Sequence, residues 1–290
     1  MLEEASASDV RRASGLPLGP LEGIPYTLKD SYSYKGLTVT NGSPALVGLN
    51  SKDDSAIAAR LRAAGGVLLG KTNMPPMAAG GMQRGLYGRA ESPYNTKYLT
   101  AAFSSGSSNG ASTSTASSMG VFGMASETVS SGRSAASNNA LACYTPSRGI
   151  VTCRGLVPLY VTCDTPVPFA RSMEDLVEIT SVIAGHDLWT EGDFWREQNH
   201  VKLPEPPATR YDTLLKEVAS LKRIRIGVPK IYVGQQDSNP HAKPTVVSDD
   251  VVQLWEQAKA DLEALGAKVR TTCVENASYR VGLVVIMKFS

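Results

Sequence analysis

Histidine is scarce in this chain, with three among 290 residues. His186, His200 and His241 all fall in polar, loop-like sequence and read as surface residues, so the usual base of a serine hydrolase has no good candidate. Cysteine is sparse too. Cys143, Cys153, Cys163 and Cys273 form no CxxC pair, and the even ten-residue spacing of the first three fits no zinc pattern; they read as buried free thiols. No apolar run approaches the ~20 residues that span a bilayer, the VGLVVIM stretch near the C-terminus included. The opening MLEEASASDVRRAS lacks the apolar core of a secretory signal. Charge of one sign is missing as well: 29 basic residues face 27 acidic ones, interspersed, with no basic stripe and no acidic tail. These absences argue against a nucleic-acid or membrane partner and for a cytoplasmic protein.

What is present is enough to bury a core: 42% of residues are hydrophobic and 19% charged. Asp53 to Gly65 (DDSAIAARLRAAG) reads as a helix with a glycine stop, and the GVLLG that follows as a short buried strand. SMEDLVEITSVIAG predicts a helix capped by Ser172, RIRIGVP (Arg223 to Pro229) a strand, and SDDVVQLWEQAKADLEALG a helix capped by Ser248. Helix and strand alternate, which argues α/β. Trp189 to Lys222 is polar and proline-containing and reads as a surface excursion. Gly65 to Thr72, GGVLLGKT, matches the phosphate-loop pattern letter for letter. Its context is wrong: a helix precedes the first glycine, the middle residues look like the strand itself, and Asn73-Met74-Pro75-Pro76 blocks a helix afterwards.

Between Ala101 and Ser137, 13 of 37 residues are serine. A flexible linker would lack apolar punctuation, yet VFGMA sits in the middle as a buried strand. The order is loop (SGSSNG), small-residue helix, strand, second loop (ETVSSGR), then more small residues. Small side chains allow close backbone approach and let amide N–H groups face a cavity, the build of a catalytic floor. A buried lysine with a lowered pKa can replace histidine as base, and Lys29, at the end of the strand-like GIPYTL, is the candidate.

Three windows in order, GPLEGIPYTLKD, SSGSSNG and SETVSSGRSAASNNALACYTPSRG, resemble the amidase signature family. GGVLLGKTNMP, YGRAESPYN and GLVPLYVTCDTPVPFARSMEDL add to the likeness, which covers Leu18 to Gly185 best. The resemblance implies an α/β fold: a mixed sheet flanked by helices on both faces, here incomplete at both ends. Residues 1–185 would form the core and 186–290 a continuation of the same domain. It implies an amide hydrolase acting on C–N bonds other than peptide bonds, on a small-molecule amide, through an acyl-serine, with no metal or organic cofactor. Lys29 corresponds to the family's lysine, Ser107 to its bridging serine after a cis peptide bond, and Ser131 to its nucleophile, with Ser130 as neighbouring rival. The backbone N–H groups of Thr128, Val129, Ser130 and Ser131 correspond to the oxyanion hole. Glu127 stands where the family has aspartate, and Val129 and Ser130 where it has glycines, which puts that hole in doubt if glycine-only dihedrals are needed. Two other readings stay open: an inactive truncated homologue, and the amide-releasing A-type subunit of an amidotransferase. Self-association as a homodimer is compatible with either.

Overall fold

The computed structural model describes residues 1–79, 84–185, 187–203, 211, 220–222, 224–236, 238 and 244–272. His186, His241, Cys273, Arg223, Pro204 to Arg210 of the proline-containing stretch, and the VGLVVIM run lie outside the described residues. Among those described, residues up to Tyr211 form one compact unit and residues 220–272 a second.

The first unit is built on a five-stranded mixed sheet. Its strands are β1 (Pro25–Lys29), β2 (Val67–Thr72), β3 (Phe122–Glu127), β4 (Ala142–Cys143) and β5 (Thr165–Ala170), in the order β2-β1-β3-β5-β4. β1 runs parallel to both β2 and β3, whereas β5 is antiparallel to β3 and to β4. Parallel neighbours need crossover connections. The chain supplies them with α2 (Ala56–Ala63), between β1 and β2, and α3 (Asn109–Ala116), between β2 and β3; α1 (Leu2–Ala13) precedes the sheet. The helix read from Asp53 starts at Ala56 instead, because the Ser55 hydroxyl accepts from the Ala58 N–H and fixes the cap there. Ser172 does the same for α5 (Met173–Ile183), accepting from Asp175 N–H at 3.1 Å.

Side chains alternate across the strands and divide the core in two. On one face Tyr26, Leu28, Phe122, Met124 and Ala170 pack against Ile57 and Leu61 of α2 and Leu176, Ile179 and Ile183 of α5. The Tyr26 and Phe122 rings stack there at 5.2 Å. On the other face Ala125, Val167, Phe169 and Cys143 pack against Ala111 of α3 and Ala135 and Ala136 of α4 (Arg133–Ser137). Lys29 lies on this second face by alternation with Leu28, as does Thr27, whose hydroxyl sits 2.9 Å from that of Ser114 on α3.

Small residues bring α3 this close. A Cβ on Gly123 of β3 would lie 2.6 Å from Thr115 Oγ1 and 3.1 Å from the Ala111 carbonyl, and one on Gly110 would meet the Asn73 backbone at 2.6 Å. The second face is therefore a thin, alanine- and serine-rich interlayer.

GGVLLGKT is β2 with the turn before it, as its context requires. Lys71 points into protein: its ammonium donates to the carbonyls of Tyr32 (2.6 Å) and Thr38 (3.2 Å) and pairs with Asp30 at 3.1 Å. The stretch read as a surface excursion is anchored over its first part. Asp193, 1% exposed, caps α6 (Phe194–Glu197) and accepts from Thr152 Oγ1 and Arg196. Cys143 is buried, and burial pushes its thiol up to about 12, whereas Cys153 and Cys163 are half-buried, short of the full burial expected.

The second unit pairs β6 (Arg225–Pro229) with β7 (Lys268–Thr272) in parallel, with α7 (Asp249–Ala264) between them in sequence. Ser248 occupies the cap position of α7, but its hydroxyl makes no cap bond. Among the described residues, no helix is long and apolar enough to cross a membrane.

Gly123→Ala is predicted to destabilise the chain by about 1–3 kcal/mol in urea unfolding, since the helix must give way to a Cβ. Gly70→Ala, on the same sheet with open space around the added carbon, serves as the near-neutral control.

Candidate active site

Three backbone features place one lysine beside a group of serines. β1 delivers Lys29 as its last residue; β3 ends alongside at Ser126 and Glu127; and α3 begins immediately after Ser107 and Ser108. The cluster thus lies at the carboxyl ends of two parallel strands, on the face covered by α3, where open α/β sheets commonly bind ligands.

Lys29 is fully buried, and its Nζ has three oxygen contacts: Ser107 Oγ at 2.8 Å, Ser108 Oγ at 3.0 Å and the Ser126 carbonyl at 3.2 Å. Ser107 Oγ lies 3.3 Å from Ser131 Oγ, so lysine and both predicted serines form one hydrogen-bonded chain. Ser107 is wholly buried and Ser131 is 5% exposed, the end of the chain nearest solvent. Burial pulls the Lys29 ammonium down to about 7, against the Asp164 and Glu127 carboxylates, which favour its charge. The three oxygens can take the three N–H groups of the ammonium, with Nζ donating to Ser107 and Ser107 to Ser131. Loss of the proton lets the polarity reverse: two N–H groups remain for Ser108 and the Ser126 carbonyl, and the lone pair accepts from Ser107.

Ser108, which the sequence reading left out, joins this cluster. Its hydroxyl donates to the Ser126 carbonyl at 2.9 Å while taking the Lys29 N–H, and so it makes no cap bond for α3. The doubled serine in SGSSNG was the available signal, since an N-cap serine here has two competing uses.

The peptide bond between Gly106 and Ser107 is cis. The loop after β3 is held from beneath by Glu127, 1% exposed. Its carboxylate accepts from the N–H groups of Gly132 (2.8 Å) and Arg133 (2.7 Å) and from Arg133 Nε (2.8 Å). The Thr128 hydroxyl donates to Asp164, Arg133 donates to the Val129 carbonyl, and Val129 points outward, 71% exposed. Among the described residues, the N–H groups of Thr128, Val129, Ser130 and Ser131 meet no acceptor. Neither Val129 nor Ser130 has a positive φ, so the loop accepts side chains at both positions without left-handed strain. Of the histidines, His200 is exposed. Among the described residues no cluster of His, Cys, Asp or Glu could hold a metal ion.

The amidase family profile matches residues 1–290. The chain belongs to the amidase family. Among curated relatives, it is 32% identical to the A-type subunit of glutamyl-tRNA(Gln) amidotransferase from Thermobifida fusca, over 92% of this chain and 49% of that protein. To the corresponding mitochondrial protein of Rattus norvegicus it is 29% identical, over 97% of this chain and 52% of that one. Among solved structures, the native peptide amidase of Stenotrophomonas maltophilia superposes with a TM-score of 0.76 at 30% identity, covering 94% of this chain and 52% of that one. The chain spans about half the length of the curated relatives it matches.

In this amidase-family chain the buried lysine couples site to stability. Lys29 binds a proton readily in the unfolded chain, with an ordinary value of 10.5, but only below about 7 in the folded one. Between those values the unfolded state binds more protons, so stability rises with pH across that window. Urea unfolding at pH values spanning the window is predicted to show a steeper rise for the parent than for Lys29→Met. Equal slopes would mean that Lys29 stays charged when folded.

Proposed function

We propose that this chain carries the catalytic core of an amide hydrolase that converts a small-molecule carboxylic amide to a carboxylate and ammonia or an amine. The observation that carries the reading is the unbroken path from a buried lysine of lowered pKa through Ser107 to Ser131. Neutral Lys29 takes the Ser107 proton while Ser107 takes that of Ser131, and Ser131 Oγ attacks the amide carbon. The oxyanion is received by the unpaired N–H groups of Thr128, Val129, Ser130 and Ser131. As the C–N bond breaks, the proton on Lys29 returns through Ser107 to the departing nitrogen. Water, deprotonated by the same relay, then attacks the acyl carbon, and the proton returns through Ser107 to Ser131 Oγ as the ester bond breaks. Every residue in this scheme falls within 1–185, which we take as the core, with 186–290 continuing it.

A second reading is favoured by the relatives that are A-type subunits of glutamyl-tRNA(Gln) amidotransferase. In it the same relay releases ammonia for a partner protein, and the distinguishing result is co-purification of that partner.

Intact-mass spectrometry after a fluorophosphonate probe tests the relay. A single adduct mapping to Ser131 is expected on the folded parent, absent in Ser131→Ala and formed at least ~100-fold more slowly in Lys29→Ala. The parent's labelling rate rises with pH through about 7, because the base must be neutral. An adduct on Ser130, or one that survives in Ser131→Ala, would overturn the assignment. No adduct on a folded parent would favour the inactive homologue.

A further inference from the structure

We infer that Ser105 and Ser130 form a positioning latch that holds the Ser131 loop in register with the Ser107 loop; the inference rests on the relay proposed above. The two loops flank α3 and β3 in sequence and meet through two hydroxyl pairs. One is Ser107 with Ser131, at 3.3 Å. The other is Ser105 with Ser130, at 3.1 Å, in which either hydroxyl can donate. Ser105 lies two residues before the bridging serine and Ser130 one residue before the nucleophile, so the second pair sits at the base of the first.

The geometry gives this pair something to do. A 3.3 Å hydroxyl contact is already longer than the ~2.5–3.0 Å usual between oxygens, so the two loops must stay in register, and close slightly, for a proton to pass. The other tethers of the Ser131 loop lead elsewhere: Glu127 holds Gly132 and Arg133, and Asp164 holds Thr128. They fix the loop to the sheet and to the turn before β5, whereas the Ser105 bond fixes it to the segment carrying Ser107. Ser130 also presents one of the four unpaired amide N–H groups, so anchoring its side chain restrains the direction of that donor. Val129, pointing into solvent, supplies no packing in its place. Ser105 touches neither Lys29 nor Ser131 through any bond found among the described residues, which makes it a positioning residue.

The test compares Ser105→Ala, Ser130→Ala, the double variant and Ser105→Thr. Fluorophosphonate labelling is expected to slow about tenfold in each single alanine variant, the scale of one lost hydrogen bond. The double variant should be no slower than either single one, as for two halves of one interaction. Ser105→Thr keeps the hydroxyl and recovers most of the rate. The pH midpoint of labelling stays near the parent's, because Lys29 is untouched. The second readout needs no activity. The Ser134 N–H bonds to the Ser130 carbonyl at 3.0 Å, so its hydrogen exchange is expected to quicken in Ser105→Ala at unchanged melting temperature. Unchanged exchange at Ser134, or single effects that multiply in the double variant, overturns the latch. Faster exchange together with a parent that never labels leaves the latch standing and refutes the relay instead.

Discussion

The burial of one amine organises this molecule. Placing an ammonium group away from water costs several kcal/mol unless it is paired or gives up its proton. The protein takes an intermediate course with Lys29. Among the described residues no carboxylate touches the nitrogen; Asp164 and Glu127 act on it through space, and its pKa falls to about 7 rather than being held high by a salt bridge. Its three contacts are hydroxyl and carbonyl oxygens, partners that suit a neutral amine as well as a charged one. Lys71 on the neighbouring strand shows the opposite solution. Burial lowers it too, but a direct ion pair with Asp30 and two carbonyl acceptors stabilise its charge.

The packing around Lys29 follows from that choice. Serine hydroxyls can reach the nitrogen only if the segment bearing them approaches β1 and β3 closely, which explains glycine, alanine, serine and threonine through α3 and along the face of β3 beneath it. The helix gives up part of its own stability in return. Its cap residue, Ser108, spends its hydroxyl on Lys29 and Ser126, forgoing a cap bond of about 1 kcal/mol. α3 is held by packing and by the Gly110 N–H bond to the Asn73 carbonyl rather than by local capping.

The loop after β3 is held in shape by an acidic residue. Its Glu127 carboxylate collects three hydrogen bonds from Gly132 and Arg133, which closes the loop into a tight arch. Among the described residues, that arch leaves four consecutive amides without acceptors, an arrangement suited to an anionic oxygen. Glutamate is long enough to reach both backbone N–H groups and the guanidinium at once.

Much of this was legible in sequence where local rules apply. Ser172 before MEDL, Gly266 after α7 and the apolar VFGMA identify elements because capping, turn conformation and hydrophobic pattern act over a few residues. The phosphate-loop match in GGVLLGKT could be dismissed for the same reason. Family likeness placed Lys29, Ser107 and Ser131 as candidates. What sequence could not decide depended on how segments fold against one another: that Ser108 joins Lys29 across 79 residues, that Ser105 meets Ser130 across 25, and that the loop after β3 holds Val129 and Ser130 without left-handed backbone. Sequence by itself determined an α/β chain with a lysine after one strand and serines before and after another. Only tertiary structure decided that the lysine is sealed from water while the serines line up beside it, because desolvation and hydroxyl geometry exist only once distant segments have closed around the same few atoms.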